Sequence, residues 1–151
     1  MRKKRGFTLI ELLAVITVIG IISIIAIPNI VGLSTGVRKD NMLDDAKKLI
    51  SMAKYKVNAD YELKNFIKSG VCSSNICTLG FNDLNTNGDI KEDPDGGSYD
   101  SAHSYVKYYK EGSAVTYCVV LVSSKRYIGT SSDCKKESEL YSKSNVIDKT
   151  E

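Results

Sequence analysis

A single carboxylate, Glu11, lies in a stretch from Phe7 to Val31 that contains no other charged residue. A carboxylate at the centre of a membrane helix costs about 2.5–3.5 kcal/mol on insertion scales, so such a residue usually has a functional role. The chemistry open to it is charge pairing, because an amine in the same apolar layer would neutralise it. The sequence therefore predicts a functional role for Glu11.

The residues before this stretch differ from those of a secretory signal peptide. Four cations, Arg2 to Arg5, precede Gly6, whereas a secretory signal peptide carries its small cleavage-site residue after the apolar stretch. A protease that cuts after Gly6 would leave the apolar helix on the product. About 20 residues suffice to cross a bilayer, and the cations place the N-terminus in the cytoplasm.

The segment GFTLIELL at 6–13, followed by Gly20 and Pro28, resembles the class III leader and N-terminal helix of type IV prepilins and pseudopilins. The resemblance implies that prepilin peptidase cuts between Gly6 and Phe7 and N-methylates Phe7. It also implies that Glu11 of one subunit accepts the N-terminal amine of a neighbour in a filament. Local helix unwinding between Gly20 and Pro28 is implied as well, with a plain proline kink as the alternative.

The same resemblance implies an organisation and a set of partners. The implied segments are a leader at 1–6, a transmembrane and polymerisation helix at 7–31, an extracellular pilin head at 32–134 and a polar C-terminal tail at 135–151. The precursor would be a single-pass membrane protein with a cytoplasmic N-terminus and an extracellular head, which then enters a surface filament or a pseudopilus. Implied partners are copies of itself or related pilins, prepilin peptidase, an inner-membrane assembly platform and the membrane itself.

The head is expected to have an α+β fold, in which a long N-terminal helix packs on a small antiparallel sheet. Apolar residues at helical spacing between Val37 and Tyr61 predict an amphipathic helix that continues the stalk to about Ala59. Residues 135–151 are polar and charged, and we expect a loose tail there. Alternation and turn residues predict four strands. They are a short edge strand at 76–81, a hairpin of 104–110 and 114–122, and a third antiparallel strand at 125–129.

The four cysteines, Cys72, Cys77, Cys118 and Cys134, form an even number in a small exported domain, which predicts two disulfides. Three pairings are open. We favour Cys72–Cys77 with Cys118–Cys134, since each pair closes a local loop. A zinc site is disfavoured because the spacing is Cys-x4-Cys plus a distant pair, and His103 is the single histidine.

The segment 81–100 is rich in oxygen ligands, and its first half matches the opening D-x-[DN]-x-[DN]-G of an EF-hand calcium loop. The match then fails, because Pro94 takes the place of the bidentate glutamate. Structural Ca²⁺ is one interpretation, and an ion-free turn loop is the other, since Asp, Asn and Gly are ordinary turn formers. The candidate Ca²⁺ ligands are Asp83, Asn85, Asn87, Asp89, Asp93 and Asp95.

Composition narrows the function classes. The chain has 21 Lys and Arg against 18 Asp and Glu, and four of the cations belong to the leader, so the charge gives no strong nucleic-acid signal. With one histidine, and with no P-loop or G-x-G-x-x-G motif, we expect a non-enzymatic protein with no required cofactor.

Two functions remain open. The first is a pilin-like or pseudopilin subunit that assembles through its N-terminal helix. The alternative is a membrane-anchored extracellular binding module that does not polymerise, for which Glu11 would have no use. Within either class, tyrosines interleaved with lysines at 104–110 could contact DNA or a surface glycan, although such tyrosines more often cover a sheet.

Overall fold

The computed structural model describes the backbone of residues 8–150, and the side chains of residues 8–23 and 34–150. The predicted leader, the cleavage pair Gly6 and Phe7 and the side chain of Pro28 lie outside the described residues. Backbone contacts divide the chain into two units, Met1–Val37 and Arg38–Glu151.

One long helix, α1 (Leu9–Ala59), begins in the first unit and ends at the residue that the sequence predicted. In the first unit its large apolar side chains between Leu9 and Ile22 are 50–83% exposed. Among the described residues, no helical segment combines the length and the hydropathy required of a membrane span. The predicted span at 7–31 lies partly outside the described side chains and stays a prediction.

In the second unit, α1 buries one stripe of apolar side chains in the core. These residues recur every three or four positions, which places them on one face of the helix. Val37 and Tyr61 were also expected on this face, but their side chains are 55% and 76% exposed. The buried stripe is Met42, Leu43, Ala46, Leu49, Ile50, Ala53 and Val57.

A seven-stranded, fully antiparallel sheet packs against this stripe, so the α+β prediction is confirmed. Leu79, Val106, Tyr108, Val119 and Leu121 join the helix residues in one hydrophobic core. Two short helices accompany the sheet: α2 (Tyr61–Lys64) precedes the first strand, and α3 (Phe81–Leu84) lies between the second and third strands. The strands are β1 (Cys72–Ser73), β2 (Ile76–Gly80), β3 (Tyr105–Glu111), β4 (Ala114–Val122), β5 (Arg126–Ile128), β6 (Lys135–Lys136) and β7 (Val146–Asp148).

The strand order is β1-β2-β3-β4-β5-β7, and β6 pairs with β4 beside β5. The segment 76–81 was expected at the sheet edge, but β2 lies between β1 and β3. The difference arises at β1, whose two residues are too few to show an alternation in the sequence.

The C-terminal segment is not the loose tail that its polarity suggested. It contributes β6 and β7 to the sheet, with two short 3-10 turns between them. Leu140 and Val146 are almost fully buried in the core. Two well-placed apolar residues are enough to fix a polar segment when both side chains leave water, since each contributes about 1.5–3 kcal/mol.

Candidate assembly site and neighbouring loops

The start of α1 is built around Thr8 and Glu11. The Thr8 amide and hydroxyl both donate to Glu11 Oε2, at 2.8 and 3.0 Å, and the Glu11 amide approaches Thr8 Oγ1 at 3.4 Å. The Thr8 carbonyl accepts the first helical bond, from the Leu12 amide. This reciprocal arrangement is a capping box, which satisfies two amides that have no partner inside the helix.

Thr8 is a site residue that the sequence interpretation did not assign. Its signal was present, because Thr-x-x-Glu before an apolar run is the pattern of a capping box. The box uses Glu11 Oε2 and leaves Oε1 without a partner among the described residues. Glu11 is exposed on the isolated chain, so this oxygen can accept a further donor such as an amine.

Polar side chains farther along the same helix bond to their own backbone. Thr17 Oγ1 donates to the Ala14 carbonyl and Ser23 Oγ to the Ile19 carbonyl, both at 2.8 Å. These bonds give each hydroxyl a partner within the helix, so that no hydroxyl donor is left unpaired in an apolar environment. Gly20 and Pro28, the predicted limits of unwinding, both lie within α1 in this chain. Unwinding in an assembly stays a prediction.

The loop that carries the predicted Ca²⁺ ligands starts on α3, where Asp83 lies. The Asn85 side chain bonds the backbone of Ile90 twice, donating to its carbonyl at 2.7 Å and accepting from its amide at 3.0 Å. Asn87 and Asp89 are exposed. These contacts use Asn85 to close the turn of the loop.

Asp93 and Asp95 are occupied by protein partners. Asp93 Oδ1 accepts from the amides of Asp95 and Gly97, at 2.8 and 3.0 Å. Asp95 Oδ1 accepts from Arg38 Nη1 at 3.1 Å, and its Oδ2 lies 3.3 Å from Arg126 Nη1. The two carboxylates thus fix the loop through amides and guanidinium groups.

The predicted metal site is not assembled here. Within the part of the chain whose side chains are described, no three His, Cys, Asp or Glu residues are grouped so as to hold a metal ion. Calcium binding by this loop stays a prediction, and it would require the acidic residues to approach one another.

Two disulfides are present, Cys72–Cys77 and Cys118–Cys134, which is the pairing favoured from the sequence. Cys72 and Cys77 are register partners on β1 and β2, joined through Ser74 and Asn75 with positive φ angles, as a tight hairpin turn requires.

A partly buried pair of side chains, Asp45 and Tyr99, links the loop to α1. The Tyr99 hydroxyl donates to Asp45 Oδ2 at 2.8 Å. Burial raises the pKa of Asp45, and burial together with this bond raises the pKa of Tyr99. The phenol therefore remains protonated and the bond acts as a structural contact.

Two residue types associated with catalysis occur in the described part of the chain, a serine in a G-x-S-x-G sequence and one histidine. Gly32, Ser34 and Gly36 spell G-x-S-x-G, but they lie in the middle of α1, whereas a nucleophile elbow needs a strand-to-helix turn. His103 lies on the loop before β3, where its Nδ1 pairs with Asp100 Oδ2 at 2.7 Å.

In the comparisons with known proteins, one family model matches the N-terminal part of the chain. Residues 1–27 match the family model of the prokaryotic N-terminal methylation motif. This motif is the class III prepilin leader of type IV pilins and pseudopilins, so the resemblance drawn from the sequence is confirmed. No curated protein and no solved structure gives a significant match to the chain. The matched motif therefore covers the leader and the first part of α1.

Proposed function

We propose that this chain is the precursor of a pilin-like or pseudopilin subunit, with no enzymatic activity of its own. Prepilin peptidase cuts between Gly6 and Phe7 and methylates the new amine. The processed chain then assembles through its N-terminal helix into a surface filament, or into a pseudopilus for secretion or DNA uptake. The observation that carries this proposal is the methylation motif matched over residues 1–27.

The geometry at Glu11 supports the assembly step. Glu11 Oε1 is open while Oε2 is held by Thr8, so the carboxylate is already oriented when a neighbour's N-terminal amine arrives. Pairing the two charges removes the cost that each would bear alone in hydrocarbon. Subunits would therefore associate with an axial stagger that brings one N-terminus to the Glu11 of the next.

The precursor is proposed to lie in the cell membrane with residues 7–31 as its span, its N-terminus in the cytoplasm and its head outside. The leader cations Arg2 to Arg5 support this orientation. Copies of the chain or related pilins, prepilin peptidase and an inner-membrane assembly platform are the proposed partners.

Intact mass spectrometry on sheared surface material and on the membrane fraction tests this proposal. Three chains are compared: the wild type, Glu11→Leu, and Thr17→Leu as a matched loss of one polar group on the same helix. We expect methylated Phe7 as the first residue in all three, and loss of Glu11→Leu alone from the sheared fraction.

The other outcomes are also informative. An uncut chain starting at Met1 in both fractions would contradict processing. Equal amounts of Glu11→Leu and wild type in the sheared fraction would contradict the role of the carboxylate in assembly. Processed wild type confined to the membrane would favour a pseudopilus over a surface filament.

A further inference from the structure

A groove with a volume of about 440 Å³ lies on the face of the sheet opposite α1. Two cross-strand pairs form its floor: Tyr105 of β3 opposite Val120 of β4, and Val122 of β4 opposite Tyr127 of β5. Their neighbours along the strands point into the core, so these four side chains point outward. We call this feature the outer groove.

The first wall of the outer groove is a turn held by Asp100. Asp100 Oδ1 accepts from the amides of Ala102 and His103, at 3.0 and 3.2 Å, and the Asp100 amide donates to the Val122 carbonyl at 2.8 Å. Asp100 Oδ2 pairs with His103 Nδ1. The imidazole is thereby oriented, with Nε2 left for an external partner.

The second wall is the turn from Gly129 to Asp133. Thr130 and Asp133 exchange backbone hydrogen bonds of 3.0 and 3.2 Å, and the next residue, Cys134, is tied to β4 by its disulfide. Gly129 has φ +67°, and a Cβ there would lie 2.9 Å from the Val119 carbonyl oxygen. Both walls are therefore fixed before any ligand arrives, which lowers the cost of binding.

The outer groove carries charged groups of both signs, Asp100 against Lys107 and Lys149, and each of them already contacts another group of the protein. Asp100 is paired with His103, and Lys149 Nζ donates to the Ser123 carbonyl at 2.5 Å. Lys107 Nζ lies 5.1 Å from the centre of the Tyr105 ring and donates to the Ser131 carbonyl at 3.4 Å. A ligand that depends on concentrated charge, such as a nucleic-acid backbone, gains little here.

We propose that the outer groove binds an uncharged saccharide. A sugar ring has apolar C–H faces and a rim of hydroxyls, and the groove offers the matching pattern of aromatic rings over a valine floor with polar groups at its edge. The hydroxyls of Tyr105 and Tyr127 have no partner among the described residues, and with His103 Nε2 they supply donors and acceptors.

The size of the outer groove supports this class of ligand. Its volume falls within the range of about 300–1,000 Å³ that small-ligand pockets occupy. The two valines of its floor, one of them 3% exposed, offer little aliphatic surface to a lipid chain, and the rest of the floor is the two tyrosine rings. The inference goes beyond the proposed function and does not depend on assembly.

Two-dimensional amide spectra of the isotope-labelled full chain, in a detergent without a sugar headgroup, test this inference. The probes are cellotetraose, maltotetraose and chitotetraose, with a galacturonate oligosaccharide as the charged comparison. We expect at least one neutral probe to saturate shifts at Val120, Val122 and Gly129, with a Kd of about 1 mM or tighter.

Variants link binding to the groove. Tyr127→Ala should weaken the bound probe about tenfold, the effect of losing one stacked ring, while Tyr127→Phe retains most of the affinity. Tyr141→Ala is the matched control, since Tyr141 is 78% exposed and does not line the groove. The spectrum of each variant reports whether the chain remains folded.

Three results would overturn the inference. They are the absence of shifts from all neutral probes up to about 10 mM, binding of the charged oligosaccharide alone, and equal affinities for Tyr127→Ala and Tyr141→Ala. None of these results bears on cleavage or filament formation, so a failure here is distinguishable from a failure of the proposed function.

Discussion

Arg126 Nη1 lies 3.3 Å from Asp95 Oδ2, and the two side chains are only 9% and 1% exposed. The contact is an ion pair without a hydrogen bond, since neither atom has a hydrogen-bond partner among the described residues. Arg126 also donates from Nε to Asp148 at 2.7 Å, and Asp95 accepts from Arg38. Arg126 of β5 thus connects the 83–95 loop, through Asp95, to β7, through Asp148.

Arg126→Met should lower the free energy of unfolding of the second unit by about 3 kcal/mol. Removing one partner of a buried ion pair leaves an uncompensated charge, here Asp95, whose remaining partner Arg38 is 44% exposed. Denaturant unfolding of the full chain, followed by tyrosine circular dichroism, measures this change.

The matched control for this substitution is Lys143→Met. Lys143 pairs with Asp40 at 2.8 Å, but both side chains are about half exposed, so the expected loss is below about 1 kcal/mol. Adding Asp95→Asn to Arg126→Met removes the orphaned charge and should recover part of the loss. Equal losses in the two single variants would contradict the importance of the buried pair.

The sequence predicted the parts of the fold that have a local period. The helical spacing of Met42, Leu49 and Val57 and the alternation around Val119 both arise because one face of each element is buried. Arg126 gave no such signal. Its carboxylate partners lie 31 and 22 residues away in sequence, and an arginine next to Lys125 is expected to be exposed.

The candidate sites also differ in how far the sequence could predict them. Glu11 was identifiable because a charge in an apolar stretch is costly wherever that stretch lies. The ligand pattern of the 83–95 loop was equally visible, but the sequence could not show that Asp95 contacts two guanidinium groups. The outer groove was unpredictable in shape, because its two walls are separate loops that meet only when the strands pair.

A pH dependence follows from Asp148. Hydrogen bonds from Lys39 and then Arg126 lower the pKa of Asp148. Because the folded pKa is below the unfolded value of about 3.9, the ion pairs stabilise the fold above pH about 4, and this contribution is lost as pH falls through the folded pKa. With the Asp148 side chain 52% exposed, we expect a contribution of only about 1 kcal/mol.

Comparing Asp148→Asn with wild type in denaturant at several pH values tests this. The variant should be less stable at pH 7 and approach the wild type below pH about 4. Asp44→Asn serves as the control, because Asp44 pairs with Lys47 within one helical turn and is 71% exposed, so its effect should be near zero. A difference between Asp148→Asn and wild type that stays constant with pH would contradict the argument.

Calcium binding has a separate signature. If the 83–95 loop binds Ca²⁺, the ion stabilises the folded chain by about 2.7 kcal/mol when its concentration is a hundredfold above Kd. The unfolding midpoint should therefore rise when Ca²⁺ is added. Asp83→Asn with Asp89→Asn should abolish this rise, while Asp133→Asn, outside the loop, should retain it. Identical midpoints with Ca²⁺ and with a chelator would contradict the prediction and favour the ion-free turn held by Arg126 and Arg38.

The capping box at the start of α1 gives the last prediction. Thr8→Ala removes the hydroxyl that donates to Glu11 Oε2 and faces the Glu11 amide, which should destabilise the first turn by about 1 kcal/mol. Amide exchange at Glu11 and Leu12 should accelerate about fivefold in the full chain held in micelles, since 1.4 kcal/mol corresponds to about tenfold. Thr8→Ser keeps the hydroxyl and should exchange like the wild type. Thr17→Ala removes a hydroxyl bond to the Ala14 carbonyl farther along the same helix, and it should leave the exchange rates of the Glu11 and Leu12 amides unchanged. Equal exchange in Thr8→Ala and Thr8→Ser would show that the Thr8 hydroxyl does not stabilise the first turn, which would then depend on the bond from the Thr8 amide to Glu11.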